Sequence, residues 1–282
     1  MKKLSFVVMM VAALSMWSCD EVSKVLEEDG LSDATIADGL KEALKVGTDT
    51  ATSILSVSDG YFKDQAVKIL LPESIELAIA NLKSKSLSLG SIAGVSLGSV
   101  TGAQLYEGYP SLGIPSLKAK EDDLILGLNR AAESAAKSAG PIFWGAITDM
   151  SILDAKSILF GEDTAATHFL KEKTYSNLFT KFEPKMDSVL AIVKVNDKSV
   201  VSMYEDYVST YNTVLNTAVG GKTVASQTGL STLAATDVSE YTTNKGLTGL
   251  FLKVSEEEKD IRLDPFARVN DLLVQVFGEL DK

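Results

Sequence analysis

The side chains that could carry chemistry are mostly of one kind. Thirty-eight Asp and Glu stand against one histidine, His168, and one cysteine, Cys19. One imidazole and one thiol are too few for a His/Cys zinc centre, an HExxH protease or a cysteine–histidine dyad. A Ser-His-Asp triad would need His168 as base. The GxSxG spacing occurs at Gly94-Val95-Ser96-Leu97-Gly98, but it lies in a Gly/Ser/Leu-rich stretch and opens no helical pattern, and His168 falls on a predicted helix beside Phe169, the setting of a packing or surface residue. Phosphate loops of the GxxxxGK[ST] or GxGxxG type are missing, and Gly246 and Gly249, one helical turn apart, suit close helix packing. Carboxylates remain. A pair flanking a glycosidic bond can act as acid and base or nucleophile, and Glu133 with Glu256, Glu257 or Glu258 would supply it. Against this, Glu258 precedes Arg262, and Asp264 precedes Arg268, at the i, i+4 spacing of helix-surface or junction ion pairs. Beyond Trp17 the only tryptophan is Trp144, a thin platform for stacking sugars. The sequence assigns no catalytic, cofactor or metal site; a carboxylate-based hydrolase of an envelope polymer or glycan is the enzymatic alternative.

Cys19 has a different chemistry. Lys2 and Lys3 precede an apolar run over residues 4–17, long enough for a signal peptide and too short to span a membrane. Ser18 supplies the small residue before the cut, and Asp20-Glu21 follow at once. The junction resembles a bacterial lipobox, in its looser form because of Trp17, with Cys19 as acceptor of a diacylglycerol. The plainer alternative is an ordinary secretory signal with a cysteine nearby. Residues 1–18 are therefore expected to be a signal peptide and 19–30 a lipidated N-terminus and tether. With one thiol the fold has no disulfide within the chain, and its core alone must hold it.

A formal charge of −11 argues against nucleic acid and against docking on anionic headgroups through charge. Attachment then falls to the acyl chains, and the remaining partner is an unknown envelope protein or polymer.

Apolar residues recur at helical spacing through most of residues 31–282. Ser32 opens a helix carrying Ile36, Leu40, Leu44 and Leu55, and Pro72 opens another over 73–83. Asp122 or Asp123 starts a third, running to Ala139, with a break at Gly140-Pro141. Ser151 with Asp154 caps a short one that ends at Gly161, and Thr164 begins a run toward Pro184. Helices over 186–195 and 199–217 come next. Asp237 with Glu240 makes a capping box, and Asp264-Pro265 starts the last helix, whose face is Leu272, Leu273, Val276 and Phe277 before Gly278. The expected class is all-α, a single-domain bundle of eight to ten helices. Residues 84–120 are the exception, rich in Gly, Ser and Leu, with Leu87/Leu89 and Val95/Leu97 alternating as in strands. This insertion reads as a loop or a small β-hairpin. It offers the helices no apolar stripe and is expected to be dispensable for folding.

Several blocks together carry a resemblance. They are Leu31-Ser32-Asp33 to Gly39-Leu40-Lys41-Glu42-Ala43-Leu44, Leu71-Pro72-Glu73-Ser74, Leu128-Asn129-Arg130-Ala131-Ala132-Glu133 and Asp154-Ala155-Lys156. The C-terminal block is the strongest: Lys245-Gly246-Leu247, Gly249-Leu250-Phe251, Glu256-Glu257-Glu258-Lys259, Ile261-Arg262, Pro265, Ala267-Arg268 and Phe277-Gly278. The chain from 31 to 278 resembles a bacterial family known as domain of unknown function 4197, from which 84–120 departs. The resemblance implies an envelope-associated helical domain and brings no catalytic residue with it. The favoured reading is an envelope lipoprotein acting as an interaction or scaffold module.

Overall fold

The computed structural model describes residues 30–153 and 155–282. The expected signal peptide, Cys19, nearly all of the tether and the Asp154 part of a cap lie outside the described residues.

Eleven α-helices form among the described residues, around one continuous core. α1 (Asp33–Leu55) starts where Ser32 accepts the Thr35 N–H, and it buries Ile36, Leu40, Leu44, Ala51 and Leu55. Its main partner is α10 (Val238–Leu263). Gly47 faces Val254, and Tyr61, just past the end of α1, meets Gly249, so the two helices run antiparallel. α2 (Glu73–Lys83), α4 (Leu117–Ala136), α5 (Ala139–Asp149), α7 (Ala165–Ile192) and α8 (Val200–Asn216) complete the larger elements. The short ones are α3 (Gly102–Glu107), α6 (Ala155–Leu159), α9 (Val224–Thr228) and α11 (Asp271–Phe277). No helix of the described residues is long and apolar enough to cross a membrane.

Four boundaries differ from expectation, each for a local reason. Ser116, accepting the Ala119 N–H, caps α4 and starts it ahead of Asp122. Gly140-Pro141 sits in the first turn of α5, where a proline N–H is not needed. Pro184 does not divide 164–195: α7 continues through it because Leu178, Phe182, Met186 and Leu190 all bury on one side of the helix. Asp264-Pro265 opens only a 3₁₀ turn (Pro265–Ala267), and α11 begins at its own cap, Asn270. At Asp237 half of the expected box forms, the side chain taking the Ser239 N–H.

Strands are more numerous than the sequence suggested, although they are small. β5 (Lys194–Val195) pairs with β6 (Lys198–Ser199), and β7 (Ala218–Val219) with β8 (Lys222–Thr223). Both turns hold two residues at positive φ, Asn196-Asp197 and Gly220-Gly221, the conformation that matches strand twist in tight hairpins. In both, the second strand is Lys-Ser/Thr followed by a helix that starts at Val, and the strand's hydroxyl caps that helix: Ser199 for α8, Thr223 for α9. Such two-residue strands carry no readable alternation.

The insertion is a β-hairpin. β1 (Ser86–Ser88) pairs with β4 (Ser99–Thr101), and β2 (Ser91–Ile92) with β3 (Val95–Ser96). Leu89–Gly98 and Leu97–Gly90 hydrogen bonds join the two ladders. Against the expectation that it offers the helices nothing apolar, the segment feeds the core: Leu87, Val100, Leu105, Tyr106, Ile114 and Leu117 are buried. Gly102 lies so close to α2 that a Cβ would stand 1.7 Å from the Leu82 carbonyl oxygen. Gln227 of α9 holds β1, accepting the Ser88 N–H at 3.0 Å while donating to the Val219 carbonyl at 2.6 Å. Only the tip is detached. Replacing residues 91–96 by Asn-Gly should therefore shift a denaturant melt by no more than about 0.5 kcal/mol, whereas Leu87→Ala should cost about 2–5 kcal/mol. A large loss from the first change would mean that the tip packs.

Candidate functional site

Glu133 is bound by its own chain. In α4, Asn129 behaves like a strand neighbour of Ile69, accepting its N–H at 2.9 Å and donating to its carbonyl at 2.7 Å. One turn on, Glu133 Oε1 accepts the N–H groups of Tyr61 and Phe62, each at 3.2 Å, and Oε2 takes Arg130 at 2.7 Å. Arg130 also reaches Asp59 at 2.7 Å, and Lys63 and Arg130 together hold the Asp59 carboxyl below its ordinary range. The Leu-Asn-Arg-Ala-Ala-Glu block thus staples the connection between α1 and α2 onto α4. Tyr61 completes it, donating its hydroxyl to the Gly246 carbonyl at 2.8 Å.

Glu258 sits at another junction and is wholly buried. Its carboxylate accepts the Ala166 and Thr167 N–H groups, at 3.0 and 2.7 Å, and the Thr167 hydroxyl at 2.6 Å. Those amides belong to the first turn of α7, whose unpaired donors and positive end favour an anion. Arg262 completes an ion pair at 2.8 Å and donates onward to the carbonyls of Leu159 and Ile158 at the end of α6. The i, i+4 pair expected from sequence is present, as a buried junction rather than on a helix surface. Asp264 and Arg268 do not pair through hydrogen bonds. Arg268 is buried, donates to the Ile261 and Arg262 carbonyls at the end of α10, and binds Asp281; Asp264 accepts the Phe266 N–H.

The remaining candidates scatter. Glu256 pairs with Lys253, which also holds Asp64 at 2.8 Å, and burial raises the pKa of Glu257. His168 is exposed in the first turn of α7, and Trp144 is 44% exposed. Gly246 and Gly249 face Met186 and Tyr61, the close packing read from their spacing. No group of three or more His, Cys, Asp or Glu suited to a metal ion occurs among the described residues. Of the carboxylates considered for hydrolysis, Glu133 and Glu258 are occupied in joining segments of the fold, and Glu256 pairs with Lys253 on its own helix.

Open surface of another kind lies on the insertion. A shallow, mainly apolar cleft of about 460 Å³ is lined by Ala103, Gln104, Glu107, Tyr109 and Pro110. A second, of about 370 Å³, continues it over Gly113, Ile114 and Pro115. Neither is visible in sequence, because both depend on the turn at Gly108 and the Tyr109–Ile114 bridge. Elsewhere on the insertion Ile92, Val95 and Leu97 stand 67%, 69% and 49% exposed at the hairpin tip.

Fold and polar interior together define a helical-bundle domain in which buried charges fasten one helix terminus to another. The chain belongs to the family described as protein of unknown function DUF4197, whose model matches residues 30–93 and 109–278. The residues between, 94–108, are fewer than the 84–120 insertion read from sequence; they hold the second half of the hairpin and α3. No curated protein and no solved structure matches the chain.

Proposed function

We propose that this protein is a lipid-anchored component of the bacterial envelope that works by contact and not by catalysis. Its anchor is a diacylglycerol on Cys19, exposed by removal of residues 1–18, and its contact face is the hairpin with the neighbouring clefts. The carrying observation is the uncharged stretch 86–106, which ends in bare Ile92, Val95 and Leu97 on a molecule of charge −11. Exposed apolar groups concentrated on one projecting element are the mark of an interaction surface. A charge-free face also suits a protein or polymer partner better than a phosphate-rich one. The engagement of Glu133 and Glu258 in helix junctions supports the non-enzymatic reading.

Metabolic labelling with an alkyne fatty acid tests the anchor. Wild type should carry label and fractionate with membranes; Cys19→Ala should carry none and accumulate as precursor or soluble protein. An unlabelled wild type would overturn the reading. For the contact face, a photo-crosslinker at position 95 should give a discrete adduct in cells, lost when Ile92 and Leu97 become serine. Adducts that persist unchanged would remove the hairpin from the proposal.

A further inference from the structure

We infer that the end of the bundle formed by the last turn of α10, α6 and the turn 265–269 lies against a zwitterionic lipid surface, its apolar side chains entering the headgroup boundary. The inference rests on the proposed anchoring at Cys19. Its geometry begins with where the chain enters the fold. Asp33, the first residue of α1, pairs with Lys156 of α6 at 3.5 Å, and the end of α6 is held by Arg262 of α10. The start of α1, α6 and the end of α10 therefore share one end of the molecule. The tether from Cys19 arrives there. Eleven residues at ~3.3–3.6 Å each span at most about 40 Å, so an anchored chain keeps this end within about 40 Å of the bilayer.

That same end carries the two most exposed large apolar side chains of the described residues, and three more beside them in sequence. Phe266 is 96% exposed and Leu153 84%, with Val269, Leu263 and Phe160 at 67%, 61% and 60%. Phe160 and Leu263 line one cavity of about 390 Å³ together with Leu280. Phe266 is also held outward: Pro265 fixes the turn, Asp264 takes the Phe266 N–H, and Arg268 is fastened to two carbonyls and Asp281. Little freedom is left to lose when the ring enters another medium. Apolar side chains of this kind bury at the headgroup–acyl boundary, and a tether raises their local concentration there. The carboxylates at the rim, Asp163, Asp264 and Asp281, select a neutral headgroup over an anionic one.

The test uses the full chain expressed in bacteria, with membranes isolated intact. Phe266→Cys and Ile192→Cys are each exposed positions whose change leaves the core alone, and Cys19 is blocked when lipidated. A bulky membrane-impermeant maleimide should label Phe266→Cys about ten-fold more slowly in membranes than after mild detergent, with Ile192→Cys reacting alike in both. Equal rates at position 266 in membranes and detergent would overturn the docking while leaving the anchor intact. Protection at 266 that survives detergent would mean that a protein, such as a second copy, covers this face, and would overturn it also. Wild type in the soluble fraction with a reactive Cys19 would overturn the anchored reading and this orientation with it.

Discussion

Removing residues 264–282 should leave a chain that aggregates or is rapidly degraded. Leu273, Val276 and Phe277 of α11 are each fully buried, and Val276 packs so tightly on α1 that a Cβ at Gly39 would come within 2.5 Å of it. Burying three such side chains is worth roughly 5–9 kcal/mol, against a typical domain stability of about 5–15 kcal/mol. The deletion also takes away Arg268 and frees the carbonyls of Ile261 and Arg262. Phe277→Ala alone should cost about 3–5 kcal/mol. Arg268→Ala should cost about 1–3 kcal/mol, more than a surface pair would, because those carbonyls lose their donors. Denaturant melts of the three variants beside wild type decide this. A truncated chain that melts like wild type would place α11 outside the core.

Glu258→Ala should be as damaging as the loss of a large core side chain. It strands the Arg262 guanidinium, only 2% exposed, without its counter-charge and leaves two amides of α7 bare. Breaking a buried pair from one side costs about 3–5 kcal/mol. Replacing both residues, Glu258→Leu with Arg262→Met, should recover only part of the loss. Apolar side chains remove the stranded charge, yet they cannot satisfy Ala166, Thr167, Leu159 and Ile158. Full recovery in an equilibrium melt would show that the ion pair matters through its charges alone. No loss in Glu258→Ala would mean that water replaces the carboxylate.

Much of this architecture was legible because it rests on period and caps. The stripe of α1, its Ser32 cap, the Pro72 start and the close packing at Gly246 and Gly249 all follow from residues adjacent in sequence or one turn apart. What escaped depends on distant partners. Pro184 reads as a break until the burial of Phe182 and Met186 is known, and a two-residue strand leaves no pattern to find. The i, i+4 spacing of Glu258 and Arg262 was plain, while its burial depended on the arrival of α6 and α7. The same spacing misled at Arg268, whose partner Asp281 stands thirteen residues on. In the insertion, Leu87 and Val100 alternate with serine and look like a solvent-facing ribbon. Only the approach of α9 puts one side of it indoors.

The contact of α1 with α11 dictates an order of assembly. Asn270 donates to Glu42 across 228 positions of sequence, and Gly39 waits for Val276 over a similar distance. A chain made from its N-terminus presents the Ile36–Leu40–Leu44 stripe long before the residues that cover α11's side of it exist. Contacts of such separation slow folding, and an apolar helix left uncovered in the meantime is where chains associate wrongly. The dangerous species for this protein is thus the nearly finished chain. A nascent polypeptide stalled just short of α11 has the whole bundle except its closing piece, and should be the form that a holding chaperone binds longest.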